Sequence, residues 1–165
     1  WSALSRAQVV ILTKVNLVER EQVDRLKKSI PQNVDVVEAR YQITDFYEWP
    51  NGQKLNEQMI KGRSVMAVAG IARPNSFFEL LQTCGINLVK TMSFGDHHQF
   101  SELDCSQIAN EAKKLGCDTL MFTEKDAVRI KNDAFSGLSL WVAPLRLSLE
   151  EGAERLNEIL RSLHH

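Results

Sequence analysis

Val65-Met66-Ala67-Val68-Ala69-Gly70-Ile71-Ala72-Arg73-Pro74 is the stretch whose reading decides the fold. Five consecutive apolar residues with no polar alternation read as a strand buried on both faces. Gly70 ends the run. Pro74 suits the first turn of a helix, where its missing N–H costs nothing. Phe77, Leu81 and Cys84 then fall on one helical stripe, and Gly85 is placed to close that helix. A buried strand passing directly into a helix is the opening half of a βαβ unit.

Outward from this stretch the alternation repeats. On the C-terminal side, 88–94 reads as a strand. Ser101-Glu102-Leu103-Asp104 resembles a capping box with Asp in place of Glu, and Ile108, Ala112 and Leu115 carry that helix to Gly116. Thr119 to Phe122, Leu140 to Val142 and Leu145 to Leu147 read as further strands. A last helix from about Glu150 places Ala153, Leu156, Leu160 and Leu163 on one face. On the N-terminal side, Val9 to Leu12 reads as a short strand buried on both faces. Glu19 to Ile30 reads as a solvated surface helix stopped by Pro31, and Val34 to Tyr41 as another strand. Between 41 and 63, Trp49-Pro50-Asn51-Gly52 signals a turn and fits a hairpin or an irregular excursion. The expectation is a single α/β domain over 1–165, with a mostly parallel sheet flanked by helices in a Rossmann-like three-layer arrangement.

Composition narrows the function. A chain of 165 residues with net charge -1 carries no broad electrostatic footprint for nucleic acid. Cys84, Cys105 and Cys117 form no CxxC pair and read as reduced cysteines of a cytoplasmic protein. No apolar run reaches the roughly 18 residues of a membrane span. The chain opens at Trp1 without Met, which suggests a fragment, and His164-His165 reads as a tag remnant rather than chemistry.

In a parallel sheet, the loops leaving the C-terminal ends of the strands share one edge, where open α/β sheets build their sites. Three polar loops qualify. The Gly70 loop has the form of an anion site, with close backbone approach at Gly70, a helix N-terminus and the cation Arg73; it also fits a plain strand-to-helix turn. Asp96-His97-His98 offers either ligands for a divalent metal or a His that accepts a proton while a carboxylate orients it. Adjacent residues on an extended chain point to opposite faces, so one His is expected to face the site and the other to be packed or hydrogen-bonded. In Thr123-Glu124-Lys125-Asp126, Lys125 can contact a phosphate or pair with Glu124 or Asp126, which makes Glu124 and Lys125, with Gly70 and Arg73, the substrate- and phosphate-proximal candidates, while Thr123 also reads as a helix N-cap. Thr13-Lys14-Val15-Asn16 is similar to the base-reading Thr-Lys-x-Asp of P-loop GTPase-like proteins, which makes Thr13, Lys14 and Asn16 nucleotide-proximal candidates; Asn16 in place of the acid removes support for guanine. A solvated strand end fits there equally. The chain carries no G-x-x-x-x-G-K-[ST] and no Asp-x-Asp.

Taken in order, these segments resemble the C-terminal half of the tetraacyldisaccharide 4'-kinases, the lipid A 4'-kinases of Gram-negative bacteria. The residues that carry the resemblance are Ala7 to Lys14, Val68 to Pro74 with Phe77-Phe78, Phe94-Gly95-Asp96-His97-His98, and Thr123-Glu124-Lys125-Asp126-Ala127-Val128. Gly95 and Gln99-Phe100 depart from the family's usual residues without touching the chemical groups. The resemblance implies a P-loop NTPase-related kinase that moves the γ-phosphate of ATP to the 4'-hydroxyl of tetraacyldisaccharide 1-phosphate, working with Mg²⁺ at the cytoplasmic face of the inner membrane as a peripheral protein. It implies that ATP and Mg²⁺ are held mainly by an N-terminal P-loop half, which this chain lacks, so that the chain alone is inactive. It also implies a catalytic His paired with an aspartate of that half. This falls on His97 first and His98 second, with Asp96 in support and no metal ligand assigned here. Two rivals remain. One is an Asp-His-His metal-dependent phosphoesterase, which needs upstream acidic motifs that are absent here. The other is a non-catalytic nucleotide-binding or interaction module.

Overall fold

The computed structural model describes residues 4–131 and 134–162. After a 3-10 turn (Leu4–Arg6) come β1 (Val9–Thr13), a second 3-10 turn (Val15–Leu17), α1 (Arg20–Lys28), β2 (Asp35–Ile43), β3 (Tyr47–Glu48) and α2 (Glu57–Ile60). The chain continues through β4 (Ser64–Ala69), α3 (Pro74–Thr83), β5 (Asn87–Ser93), α4 (Glu102–Lys114), β6 (Thr119–Phe122) and α5 (Glu124–Ala127). It ends with β7 (Ser139–Val142), β8 (Leu145–Leu149) and α6 (Ala153–Ser162). Trp1, Leu163 and the His164-His165 pair lie outside the described residues.

Where one α/β domain was expected, the strands make two sheets in two compact units. The first unit takes 1–42 and 146–165 and carries the order β1-β2-β8, with β1 and β2 parallel. Here one expectation is corrected. β1 is not buried on both faces, because it is the edge strand of a small sheet, and Ile11 is 42% exposed. The buried apolar residues of this unit include Val23, Val34, Val37, Ala39 and Leu156. Glu38 is buried among them and accepts hydrogen bonds from Arg20 Nη1 at 2.6 Å and Lys27 Nζ at 2.9 Å. Burial pushes the Glu38 carboxyl up, but the bonds from Lys27 and Arg20 outweigh it and leave the carboxyl below its ordinary range. The turn after β8 closes on β2: Glu150 N–H donates to Glu38 O and Glu38 N–H to Glu151 O. Gly152 is required there, since a Cβ would lie 2.5 Å from Val36 O.

The second unit, 43–145, holds the five-stranded sheet β3-β7-β6-β4-β5. β5, β4, β6 and β7 are parallel, and β3 joins β7 antiparallel at the edge. The expected excursion is present. Tyr47 bridges Lys54, Glu48 N–H donates to Gln53 O at 2.8 Å, and Gly52 takes the left-handed φ of 71° that the Asn-Gly signal required. β4 is buried along its length, as its sequence predicted.

Strand order here decides where a site can form. The chain leaves β4 toward β5, then returns past β4 to β6. Right-handed crossovers therefore put α3 and α4 on opposite faces. Met66, Val68, Leu120 and Phe122 face α4, whose Cys105, Ile108 and Ala112 pack on them together with Ile130, Phe135 and Leu140. α3 packs on β4 and β5 and buries Phe77 and Leu81 completely. Between β4 and β6, at the carboxyl ends of the strands, the connections diverge to opposite faces. This is the topological switch point, where open α/β sheets leave a crevice.

Candidate active site

Three loops meet at that point. The Gly70 peptide joins them by both of its polar groups. Its N–H donates to Asp126 Oδ2 at 3.0 Å, across to the loop after β6. Its carbonyl accepts from His97 N–H at 3.1 Å, across to the loop after β5. One residue earlier, Ala69 O accepts from Phe94 N–H at 2.9 Å, which continues the β4–β5 ladder into the loop. A side chain at Gly70 would be crowded, because a Cβ would sit 3.1 Å from His98 Cβ, 3.2 Å from Asp126 Oδ1 and 3.4 Å from Gly95 O, so that the neighbours would have to give by a few tenths of an ångström. The glycine is thus the close-approach point of all three loops.

Asp126 is fully buried. Thr123 caps α5 by accepting from Asp126 N–H at 3.1 Å, and its hydroxyl donates to Asp126 Oδ2 at 2.7 Å. Oδ1 has no hydrogen-bond partner, and the nearest charge is Arg129 Nη1 at 3.6 Å, which is itself buried and without a hydrogen bond. Arg129 Nη2 lies 3.0 Å from His97 Nδ1.

The two histidines separate as expected, one outward and one packed, but not by the alternation of an extended chain, because residues 96–97 form a turn. His97 has φ of 58°, in the left-handed region that costs a residue with a Cβ roughly 1–2 kcal/mol. This kink sends its ring outward, where the side chain is 74% exposed and Nε2 is 3.8 Å from Asp96 Oδ2. His98 turns inward, with its ring 4.7 Å from that of Phe94 and 5.1 Å from that of Phe100. Its Nε2 is 3.0 Å from Asp104 Oδ2. Asp104 belongs to the capping box of α4, as the sequence predicted, with Ser101 Oγ and N–H both donating to it. These bonds from Ser101, with a further one from His98, pull the Asp104 carboxyl down to about 2.

Of the residues singled out by sequence, Gly70, Asp96, His97 and His98 are brought together here. Arg73 precedes α3 without capping it by its side chain, and Arg73, Glu124 and Lys125 are exposed at the loops of the same edge. Thr13, Lys14 and Asn16 belong to the other unit. There Asn16 spends its amide on the backbone of Tyr41, donating to its carbonyl at 2.9 Å and accepting from its N–H at 3.1 Å. Lys14 sits over the Tyr41 ring at 5.6 Å. Asp126 and Arg129 had not been assigned a role in the site by sequence. A signal for them exists: Thr-x-x-Asp repeats the Ser-x-x-Asp cap of α4, and Arg129 follows Asp126 at i+3. Among the described residues no group of three His, Cys, Asp or Glu could hold a metal ion.

The family model of LpxK, tetraacyldisaccharide-1-P 4'-kinase, matches residues 1–164. The chain belongs to this kinase family. A tetraacyldisaccharide 4'-kinase of Bdellovibrio bacteriovorus is 32% identical over 160 residues, which cover 97% of this chain and 47% of that protein. One from Halothermothrix orenii is 29% identical, covering 90% of this chain and 43% of its own. The chain thus spans under half the length of these curated relatives. The fold is also that of LpxK from Aquifex aeolicus, solved in complex with ATP, with a TM-score of 0.55 and 15% identity, covering 95% of this chain and 52% of that one.

Two outcomes follow from the geometry. Gly70→Ala drives a methyl group against His98 and Asp126 and is expected to destabilise the fold by about 1–3 kcal/mol, the usual cost of overpacking; an unchanged urea midpoint counts against the close-approach role. For Asp104, the folded carboxyl lies near 2 against an ordinary 3.8, so its contribution is present above about pH 3.8 and is lost as pH falls through about 2. The stability gap between the parent chain and Asp104→Asn should therefore be constant near neutrality and close in acid. A gap independent of pH down to about 2 would contradict this.

Proposed function

We propose that this chain forms the C-terminal part of a lipid kinase that transfers the γ-phosphate of ATP to the 4'-hydroxyl of tetraacyldisaccharide 1-phosphate. An N-terminal P-loop half would complete it. The observation that carries this reading is His97, displayed at the switch-point edge by a left-handed backbone and two hydrogen-bonded neighbours. Membership in the kinase family removes the support for the metal-phosphoesterase reading.

Phosphoryl transfer is mostly positioning and charge stabilisation. In this reading His97 accepts the proton of the acceptor hydroxyl while that oxygen bonds to the γ-phosphorus and the bond to ADP breaks. An aspartate from the other half orients the ring, and Asp96 supports the loop. His98 keeps the loop in place through Asp104 and the two phenylalanines. Arg73 and Lys125, exposed at the same edge, suit the phosphates of the two substrates. Mg²⁺, when bound, would supply charge neutralisation on the transferring phosphate, and in this reading its ligands come from the P-loop half. Closure of the two halves excludes water as a competing acceptor. No helix of the described residues is long and apolar enough to cross a membrane, and the proposed site of action is the cytoplasmic face of the inner membrane, with peripheral attachment.

His97→Ala in the full-length protein should lower turnover by at least ~100-fold, the scale of a general acid–base group. A loss below ~3-fold together with a severe His98→Ala defect would transfer the role to His98. The 165-residue chain by itself should not phosphorylate the lipid with ATP. Measurable transfer by it alone overturns the two-half reading.

A further inference from the structure

The contact between Arg129 and His97 constrains where the imidazole proton sits. A guanidinium has only donors. At 3.0 Å from Arg129 Nη2, His97 Nδ1 must therefore be the acceptor, and the ring is neutral with its proton on Nε2. That tautomer has no free lone pair. Nε2, the exposed nitrogen, offers a proton, and the lone pair on Nδ1 is occupied by Arg129. A base acting through Nε2 needs the opposite tautomer, with Nδ1–H given to an acceptor such as a carboxylate.

The same contact has an alternative close at hand. Arg129 Nη1 and Asp126 Oδ1 are both buried, both without a hydrogen bond, and 3.6 Å apart. Such a pair is unusual, because leaving buried charged groups unbonded is costly. Closing the gap to a charge-assisted hydrogen bond of about 2.8 Å takes a shift of under about 1 Å and satisfies both atoms. In the structure Arg129 contacts both groups at once, His97 through Nη2 at 3.0 Å and Asp126 through Nη1 at 3.6 Å. A shift toward Asp126 that is directed away from Nδ1 tightens the second contact at the expense of the first.

We propose that Arg129 is a latch on His97: seated on Nδ1 it holds the ring in the tautomer that cannot act as base, and moving onto Asp126 it releases the ring. On release, the proton exchanges through water from Nε2 to Nδ1, which leaves Nε2 free to accept the hydroxyl proton. Arg129 and Asp126 are thus positioning residues that act through His97. The consequence for function rests on the lipid kinase reading given above, whereas the latch itself is a property of this chain. A latched resting state keeps an exposed base from activating water and wasting ATP.

The test has two arms. In ¹⁵N-histidine spectra of the 165-residue chain, His97 should show a single Nε2–H tautomer. Arg129→Met should raise the Nδ1–H fraction about fivefold, the population change set by one hydrogen bond. Asp126→Asn should keep His97 latched, because its NH₂ group would face Arg129 where an oxygen is needed, while its carbonyl oxygen still serves Gly70 and Thr123. In the full-length protein, Arg129→Met should raise ATP hydrolysed per lipid phosphorylated about fivefold, and Asp126→Asn should lower kcat with KM for ATP unchanged. An Arg129→Met chain whose His97 keeps the single Nε2–H tautomer overturns the latch whatever the kinetics. A tautomer change with an unchanged hydrolysis ratio overturns its role in turnover. Full activity of His97→Ala overturns the underlying base assignment instead, and the spectra tell these failures apart.

Discussion

A fully buried carboxylate, Asp126, is the constraint on which the rest of the site depends. A buried charge is costly unless it is hydrogen-bonded and paired. Asp126 meets this at one oxygen, through the Thr123 hydroxyl and the Gly70 N–H. At the other it has only a long ion pair to Arg129. The first set ties the end of β6 to the end of β4 across the switch point, so the carboxylate fixes the spacing of the two loops that border the crevice. Gly70 then passes the constraint on, because the carbonyl of the same residue binds the His97 backbone. A change in the carboxylate is felt at His97 through two routes, the Gly70 peptide and the Arg129 guanidinium.

His97 and His98 show how backbone geometry divides two identical side chains. Their rings share one loop and one aspartate-rich neighbourhood. The left-handed conformation at His97 turns one ring out, and the bond from His98 N–H to Gly95 O closes the loop behind it. His98 then meets Phe94, Phe100 and Asp104, the last of which belongs to the capping box of α4. A strained residue held between well-packed neighbours is a common property of functional loops, since only surrounding contacts can sustain the strain.

The sequence was most legible where local rules dominate. The strand at 65–69, Pro74 at the first turn of α3, the capping box at Ser101 and the turn at Asn51-Gly52 all follow from residue-level preferences. The convergence of the Gly70 and His97 loops was also legible, since parallel strands place their exits on one edge. Burial was less so. Val9 to Leu12 has the composition of an interior strand, yet β1 is an edge, because strand order depends on pairings distant in sequence. The division into two sheets was hidden for the same reason: β8 returns to β2 from more than a hundred residues away. Asp126 and Arg129 were overlooked because a Thr-x-x-Asp cap is ordinarily a solvent-facing device. The motif does not reveal that its aspartate points into the core.

The site edge is assembled from 70–74, 94–98 and 123–129, with Phe100, Ser101 and Asp104 supporting His98, all within one compact unit. Its hydrogen bonds need nothing from outside that unit. The sequence carries no G-x-x-x-x-G-K-[ST] phosphate cradle, and among the described residues no group of three His, Cys, Asp or Glu could hold a metal ion. The three loops are held to one another by folding itself, so the edge is preorganised. The remaining freedom is concentrated in one guanidinium between two acceptors, where a small displacement changes which nitrogen of His97 carries the proton.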